Sequence, residues 1–177
     1  MGDPSTDLLQ RARQFDIEAL ADIYDKYNPG IYRYAVRMLG DETLAEDCTA
    51  DTFHRFLVAL RSRRGPEQYL QAYLYRIAHN WITDYYRSNQ HNELPLSETF
   101  QDRRHETDSI AQEKLEAQQI RSTLWKLTPE QRQVILLKYY EGWENAEIAA
   151  AIEKPVGAVK ALLHRAIQQL KKLLGAS

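Results

Sequence analysis

The chain has 177 residues, enough for one medium domain or two small ones, and its 44% hydrophobic and 27% charged content excludes collagen-like, mucin-like and wholly disordered proteins. Only 7 Gly and 6 Pro leave little material for tight turns, which favours helices over a β-sandwich or barrel. No apolar run reaches the ~18 residues that cross a bilayer, the N-terminus lacks a secretory-signal pattern, and the single cysteine, Cys48, cannot form an internal disulfide, so we expect a cytoplasmic protein.

The net charge of −2 conceals an uneven distribution along the chain. Residues 61–90 carry five arginines against two carboxylates, and residues 154–177 carry five lysines and arginines and no carboxylate. Two basic segments in a mildly acidic chain predict two separate contacts with a polyanion. The overall pI near 6.2 argues against indiscriminate nucleic-acid binding.

The first 90 residues predict four helices around one core, because apolar residues recur there at spacings of three and four. Asn28-Pro29-Gly30 is expected to break the first helix, and Gly40 to end the second. Asp41 has the side chain of an N-cap for the third helix. After the basic loop Arg61–Pro66, the fourth helix carries a broad apolar stripe. That stripe consists of Leu70, Tyr73, Leu74, Ile77, Ala78, Trp81 and Tyr85.

Helical periodicity disappears between residues 88 and 109, where the chain is polar and acidic and contains Pro95. This composition predicts a flexible linker over residues 91–110. The apolar groups in it that can dock on a surface are Leu94, Leu96 and Phe100. The fold class is therefore predicted to be all-α, with two small helical domains, residues 1–90 and 111–177, joined by a flexible polar linker.

The C-terminal domain contains a strong helix start at residues 128–131, Thr-Pro-Glu-Gln. The threonine can cap, the proline occupies the first helical position, and the glutamine completes a capping box. Gly142 is expected to end that helix. A short helix around Ala146–Ala151, a turn near Glu153-Lys154 and a longer helix to Leu174 follow. This order predicts a helix-turn-helix in the C-terminal domain.

The last helix has an apolar face and an opposite face of small and polar residues. The opposite face holds Gly157, Lys160, Ala161, His164, Gln168 and Lys171. Small residues permit close approach to a major groove, and Lys160 and Arg165 can reach phosphate or guanine. From the pattern alone, two other interpretations stay open: a solvated surface helix, and a short coiled-coil or partner helix.

The motifs of the C-terminal domain resemble those of bacterial sigma factors. Leu127–Trp143 resembles the start of their promoter-binding C-terminal domain, and Glu147–Ile152 followed by Pro155–Ala166 resembles its helix-turn-helix. Three positions depart from the usual recognition helix, because Ala158, Ala161 and Leu162 stand where Thr, Ser and Arg are common. These changes remove polar base-reading groups and one cation.

The N-terminal domain carries an independent match to the same family. Ala45–Phe53 is similar to the helix that binds core RNA polymerase, and Tyr73–Asn80 resembles the helix that reads the −10 promoter element. His79 stands where an Arg is common. Two such domains joined by one linker are the layout of the extracytoplasmic-function (group 4) sigma factors, which the chain resembles over residues 10–174.

The resemblance implies a transcription-initiation subunit, with no catalytic residue, metal or cofactor of its own. It implies core-polymerase binding by Asp47, Asp51 and Arg55. It implies contact with the −10 element by Arg61, Arg63, Arg64, Arg76, Asn80 and Arg87. It implies contact with the −35 element by Lys138, Gly157, Lys160, Ala161, His164 and Arg165. The implied partners are core RNA polymerase, promoter DNA and an anti-sigma factor, with no membrane insertion of the chain itself.

Two alternatives come from other functional classes. A helix-turn-helix regulator would bind DNA without recruiting polymerase, but such a regulator needs neither the basic loop nor the −10-like helix. A sigma-like interaction protein would have lost DNA reading and would only titrate a partner. An enzyme is the least favoured class, because no paired-carboxylate, Ser-His-Asp or metal-ligand spacing and no Gly-rich phosphate loop occurs.

Overall fold

The fold is known from a computed structural model that describes residues 4–89 and 108–175. All regular secondary structure in these two stretches is helical, so the all-α prediction is confirmed. The N-terminal half, residues 4–89, contains α1 (Pro4–Arg13), α2 (Ile17–Leu39), α3 (Glu42–Arg61) and α4 (Leu70–Ser88). The C-terminal half, residues 108–175, contains α5 (Asp108–Trp125), α6 (Pro129–Ile135), a π-helical turn (Leu136–Tyr140), α7 (Asn145–Ile152) and α8 (Val156–Gly175).

The boundary between α2 and α3 follows the predicted signals. Gly40 takes the left-handed conformation, with φ of 69°, and its N–H donates to the carbonyl of Val36. The Asp41 carboxylate then accepts the N–H of Leu44 at 2.8 Å and caps α3. An N-cap of this kind stabilises a helix by about 1 kcal/mol. The predicted stop at Gly40 and the predicted cap at Asp41 are both confirmed.

The predicted break at Asn28-Pro29-Gly30 is wrong, because α2 runs without interruption through Pro29. A proline inside a helix removes one hydrogen bond and costs about 3 kcal/mol. Tyr27, Ile31 and Tyr34 lie on both sides of it and are buried in the core. Each such burial contributes about 1.5–3 kcal/mol, so packing of the flanking turns outweighs the local cost.

The C-terminal half contains the predicted helix-turn-helix. Thr128 and Gln131 form the capping box at the start of α6, with both bonds at 3.2 Å. Gly142 has φ of 72° and follows the π-helical turn. Glu153, at φ of 55°, makes the tight turn that separates α7 from α8.

The two halves pack on each other and their buried side chains form one continuous apolar cluster. Helix α7 lies against α4, and α6 lies against α2. The C-terminal half begins at Asp108, whereas most of the predicted linker over residues 91–110, with Leu94, Leu96 and Phe100, lies outside the described residues. The fold thus places α4 at the junction of the two halves and leaves α8 at the periphery.

Candidate nucleic-acid interface

Helix α8 separates a buried face from an exposed one, as its sequence predicts. Val159, Leu163 and Ala166 are buried against the C-terminal half. The exposed face contains Gly157, Lys160, Ala161, His164, Arg165, Gln168 and Lys171. Lys160, His164 and Arg165 make no ion pair with any residue that the structure describes, so their charge and polarity are available to a polyanion.

Leu162 belongs to the buried face of α8, with only 6% of its surface exposed. The position at which related recognition helices commonly carry Arg is therefore a packing position in this chain. A charged group there would lose its hydration without gaining a partner, which is costly. Of the predicted DNA-contacting groups of α8, Lys160, His164 and Arg165 are the long polar side chains that remain exposed.

Lys138 has a different environment from the cations of α8. It lies on the π-helical turn, its side chain is only 28% exposed, and its Nζ is 3.7 Å from the carboxylate of Glu144. The ion pair neutralises part of its charge. Lys138 is consequently a weaker candidate for phosphate contact than Lys160.

The loop between α3 and α4 is basic and exposed. Arg61, Arg63 and Arg64 all point to solvent, and Arg63 has the left-handed φ of 56°. From α1, Arg13 Nη1 donates to the carbonyl of Pro66 at 3.3 Å and lies 3.9 Å from the carboxylate of Glu67. These exposed contacts link the loop to α1 and contribute little to stability. A pocket of about 350 Å³ lies between them. It is lined by Gln10, Arg13, Gln14, Leu60, Arg63 and Gly65.

Tyr69 is a further candidate for contact with nucleic acid, and the sequence pattern alone does not reveal it. It precedes α4 with φ of 56°, and 77% of its surface is exposed. An exposed aromatic ring that follows a loop with three exposed arginines can stack an unpaired base, while the cations attract the phosphates of the strand. The only sequence signal is a tyrosine at the junction of a basic loop and a helix.

Helix α4 presents its predicted DNA-binding residues unequally. Asn80 is exposed, and Arg87 is exposed with a weak ion pair to Asp84 at 3.8 Å. Arg76 instead points to the C-terminal half, where its Nη2 donates to the carbonyl of Ala150 at 2.7 Å. Trp81 and Tyr85 stack on each other at 5.8 Å and pack against the core, partly buried.

Helix α3 carries the residues implied in polymerase binding. Asp47 is exposed, and Asp51 pairs with Arg55 at 2.6 Å one turn further on. A partly exposed pair of this type contributes only a few tenths of a kcal/mol to folding. Leu57 and Val58 are 39% and 50% exposed on the same helix. Charged and apolar groups together are typical of a protein-binding face.

Metal-binding groups, the cysteine thiol and apolar helices were compared with what metal binding, thiol reactivity and membrane insertion require. No group of three or more His, Cys, Asp and Glu within residues 4–89 and 108–175 is placed to hold a metal ion. Burial raises the pKa of the Cys48 thiol to about 12, so this cysteine is not reactive. In the same two stretches, no helix is long and apolar enough to cross a membrane.

Two protein-family models match the chain. The model described as Sigma-70 region 2 matches residues 23–92, which include α3, the basic loop and α4. The model described as Sigma-70, region 4 matches residues 117–170, which include the helix-turn-helix. The region 2 match contains the basic loop before α4, and the region 4 match contains α8. Each candidate surface therefore lies within one of the two matches.

Curated relatives align over nearly the whole chain. ECF RNA polymerase sigma factor BldN of Streptomyces coelicolor is 30% identical over 95% of this chain, which matches 65% of the length of BldN. ECF RNA polymerase sigma factor SigL of Mycobacterium tuberculosis is 31% identical, and the alignment covers 86% of each protein.

Two solved structures share the fold. CnrH, in complex with the cytosolic domain of CnrY, superposes with a TM-score of 0.76 and 27% identity over 99% of both chains. The sigma factor RpoE of Bartonella quintana, in complex with the anti-sigma factor NepR, superposes with a TM-score of 0.64 and 20% identity. That alignment covers 88% of this chain and 96% of RpoE.

Proposed function

Because the chain belongs to the extracytoplasmic-function family of RNA polymerase sigma factors, we propose that it binds core RNA polymerase and directs promoter-specific initiation by reading −10 and −35 elements. The observation that carries this function is the pair of exposed basic surfaces, one in each half. They lie at the loop before α4 and on α8. A protein with two such surfaces can contact two separated segments of one DNA molecule.

The polymerase contact is assigned to α3. Asp47, Asp51 and Arg55 supply charges, and the exposed Leu57 and Val58 supply apolar area. Apolar burial provides most of the binding free energy at such a face, while the charges select the partner and its orientation.

The −10 contact is assigned to the basic loop and α4. Melted DNA exposes bases, which need an aromatic platform, and a single-stranded backbone, which needs cations. Tyr69 supplies the platform, and Arg61, Arg63 and Arg64 supply the cations, with Asn80 and Arg87 further along α4. Arg76 joins them once its bond to Ala150 is released.

The −35 contact is assigned to α8 lying in the major groove. Gly157 and Ala161 leave room for the backbone of the helix to approach DNA, and Lys160, His164 and Arg165 reach phosphates or base edges. Lys138 lies outside this face and contributes to DNA binding once its pairing with Glu144 is lost.

In this function the chain performs no chemistry of its own and requires no cofactor or metal. It acts in the cytoplasm, where polymerase and the chromosome are found. An anti-sigma factor is a further proposed partner, because the family resemblance implies one and RpoE, which shares the fold, was solved with the anti-sigma factor NepR.

Transcription with sigma-free bacterial core polymerase, the purified chain and genomic DNA tests this function. We expect discrete RNA 5′ ends that share two upstream elements. Asp51→Ala with Arg55→Ala should reduce these starts by weakening core binding and its orientation, whereas Glu116→Gln, at an exposed carboxylate on α5, should leave them unchanged.

Two outcomes contradict the proposal. If core polymerase binds the chain without specific starts, the chain is a sigma-like interaction protein. If core polymerase does not bind it, the chain is a helix-turn-helix regulator.

A further inference from the structure

The exposed side chains of α8 form a middle row and two flanking rows along the helix. Gly157, Ala161 and His164 lie within about 60° of one another around the helix axis, because each residue adds a rotation of about 100°. Lys160 lies about 60° to one side of Gly157, and Arg165 lies about 80° to the other side. All five residues are exposed. The helix therefore presents a middle row without lysine or arginine between two rows of cations.

The flanking rows match the two phosphate backbones that border a major groove. Lys160 and Lys171 form one row, and Arg165 and Lys172 form the other. An α-helix with its side chains is about 10–12 Å across, and the major groove is about 12 Å wide. Cations at both edges of the helix therefore reach phosphates, which position a protein on DNA but carry no sequence information directly. Recognition of the bases is left to the middle row.

The N-terminal part of the middle row has no hydrogen-bonding side chain, although this end of a recognition helix is the part that contacts base edges. Gly157 has no side chain, and an added Cβ there would meet no atom of another element within 4 Å, so this end is open. Ala161 carries one methyl group, and the half-buried Ala158 adds a second on the same side. Leu162 is only 6% exposed and faces the core. Polar groups of the row begin one turn later, at His164.

An alanine methyl group is complementary to one of the four bases in the major groove. Thymine carries a C5 methyl group there, whereas guanine, adenine and cytosine present hydrogen-bonding atoms. An alanine placed against those polar atoms would remove their water and return no hydrogen bond, which is unfavourable. Against the thymine methyl group, it removes apolar surface of both groups from water. The N-terminal end of α8 therefore favours thymine.

We propose that Ala161, with Ala158 beside it, is a specificity-determining residue that reads the C5 methyl group of a thymine in the −35 element. Lys160 and Arg165 hold the helix in the groove through phosphates, and His164 supplies a hydrogen bond to a base one turn further along. The inference rests on the proposed function, which places α8 in the major groove of promoter DNA. It adds the kind of base that the helix selects there and the contact that selects it.

Replacement of thymine by uracil tests the contact, because uracil keeps the hydrogen-bonding groups of thymine and lacks only the methyl group. The full chain first enriches short duplexes from a random-sequence pool. The enriched duplex is then made with uracil in place of each thymine, one position at a time, and fluorescence anisotropy gives the affinities. Ala161→Gly removes the methyl group from the protein. Ala21→Gly, at an exposed position inside α2, is the matched control for the same change in a helix.

We expect uracil at the contacted position to weaken binding of the parent chain and of Ala21→Gly by about fourfold, the value of one buried methyl group. Ala161→Gly should bind the thymine and uracil duplexes equally. Ala161→Ser tests the same residue if the glycine variant does not fold, because serine costs a helix less stability than glycine does. Its hydroxyl would lie against the methyl group of the base, so the preference for thymine should shrink.

The outcomes separate this inference from the proposed function. Equal affinity of the parent for thymine and uracil at every position, or an enriched site without thymine, would overturn the methyl contact and leave α8 as the −35 reader. A thymine preference that persists in both Ala161 variants would overturn the role of this residue. Failure to enrich any sequence would overturn the placement of α8 in a major groove, and with it the −35 part of the proposed function. Core binding and −10 reading do not enter these measurements.

Discussion

At the level of single residues, exposure separates the cations that are free to meet DNA from those already engaged. Lys160 and Arg165 are exposed on α8, and Arg63 and Arg64 are exposed in the basic loop. Arg76 is of the same residue type but is bonded to α7. The residue type therefore shows which side chains are able to bind phosphate. Their burial and existing hydrogen bonds show which of them are accessible to phosphate without a change in the structure.

Tyr69 carries a prediction about the melted strand. Tyr69→Ala should weaken capture of the open −10 strand by about 1–3 kcal/mol, because one base loses its stacking partner. Tyr69→Phe keeps the ring and should retain most of the binding. The check is permanganate footprinting of unpaired thymines in promoter complexes. Equal footprints for Ala and Phe would assign no stacking role to this ring.

Lys160 carries a prediction about duplex DNA. Lys160→Ala should weaken binding at all sequences alike and should lower the slope of log affinity against log salt by about one unit, because one phosphate contact is lost. The measurement is fluorescence anisotropy with −35 duplexes at several salt concentrations. Lys126→Ala, an exposed cation outside α8, is the control. A loss confined to one DNA sequence would instead make Lys160 a base-reading residue.

At the level of elements, caps and packing decide where helices begin and end. Thr128 with Gln131, and Gly40 with Asp41, act locally and are recognisable as sequence signals. The continuity of α2 through Pro29 depends instead on core contacts made by the residues around it. A local signal thus determines the end of a helix unless packing of the residues on both sides of it contributes more free energy than the signal does.

Pro29 provides the test of that balance. Pro29→Ala restores a helical N–H at an exposed position without removing packing, so it should raise the free energy of unfolding by about 1–3 kcal/mol. Urea unfolding measures this change. Asn28→Ala, at the neighbouring position, should change stability by only a few tenths of a kcal/mol. An unchanged or lower stability for Pro29→Ala would mean that the proline stabilises α2 or restricts the unfolded chain.

At the level of the whole molecule, the junction changes the properties of α4. His79 is half-buried there, and its partial desolvation lowers the pKa of its imidazole below the usual 6.5. The charges that face it are Glu130, which opposes the shift, and Lys154, which adds to it. The docked arrangement therefore favours the neutral ring.

This burial predicts a loss of stability in mild acid. The unfolded chain takes up a proton on His79 near pH 6.5, before the folded chain does. The contribution of this group is thus complete above that pH and is lost as the pH falls through the lowered pKa. Urea unfolding at a series of pH values should show the decline, and His79→Gln should reduce it. His164→Gln, on the exposed face of α8, should leave it intact. The same decline in His79→Gln would assign it to other groups.

Short-range patterns in the sequence were sufficient to predict the helical class, the caps of α3 and α6, the helix-turn-helix and the sigma-factor family. These properties are encoded in short-range spacing, because a cap or an amphipathic face involves residues within one or two turns. The same spacing placed Lys160 and His164 on the exposed face of α8 and Val159 on its buried face. The division into domains at residues 90 and 111 remains a prediction.

Four features depend instead on long-range packing: the passage of α2 through Pro29, the burial of Leu162, the exposure of Tyr69 and the bond of Arg76 to α7. Each of these outcomes depends on groups distant in the chain. Arg76 and Ala150, for example, are separated by 74 positions and meet at 2.7 Å. Local periodicity carries no information on such a contact, because burial and hydrogen bonding are set by whichever surface packs against the residue.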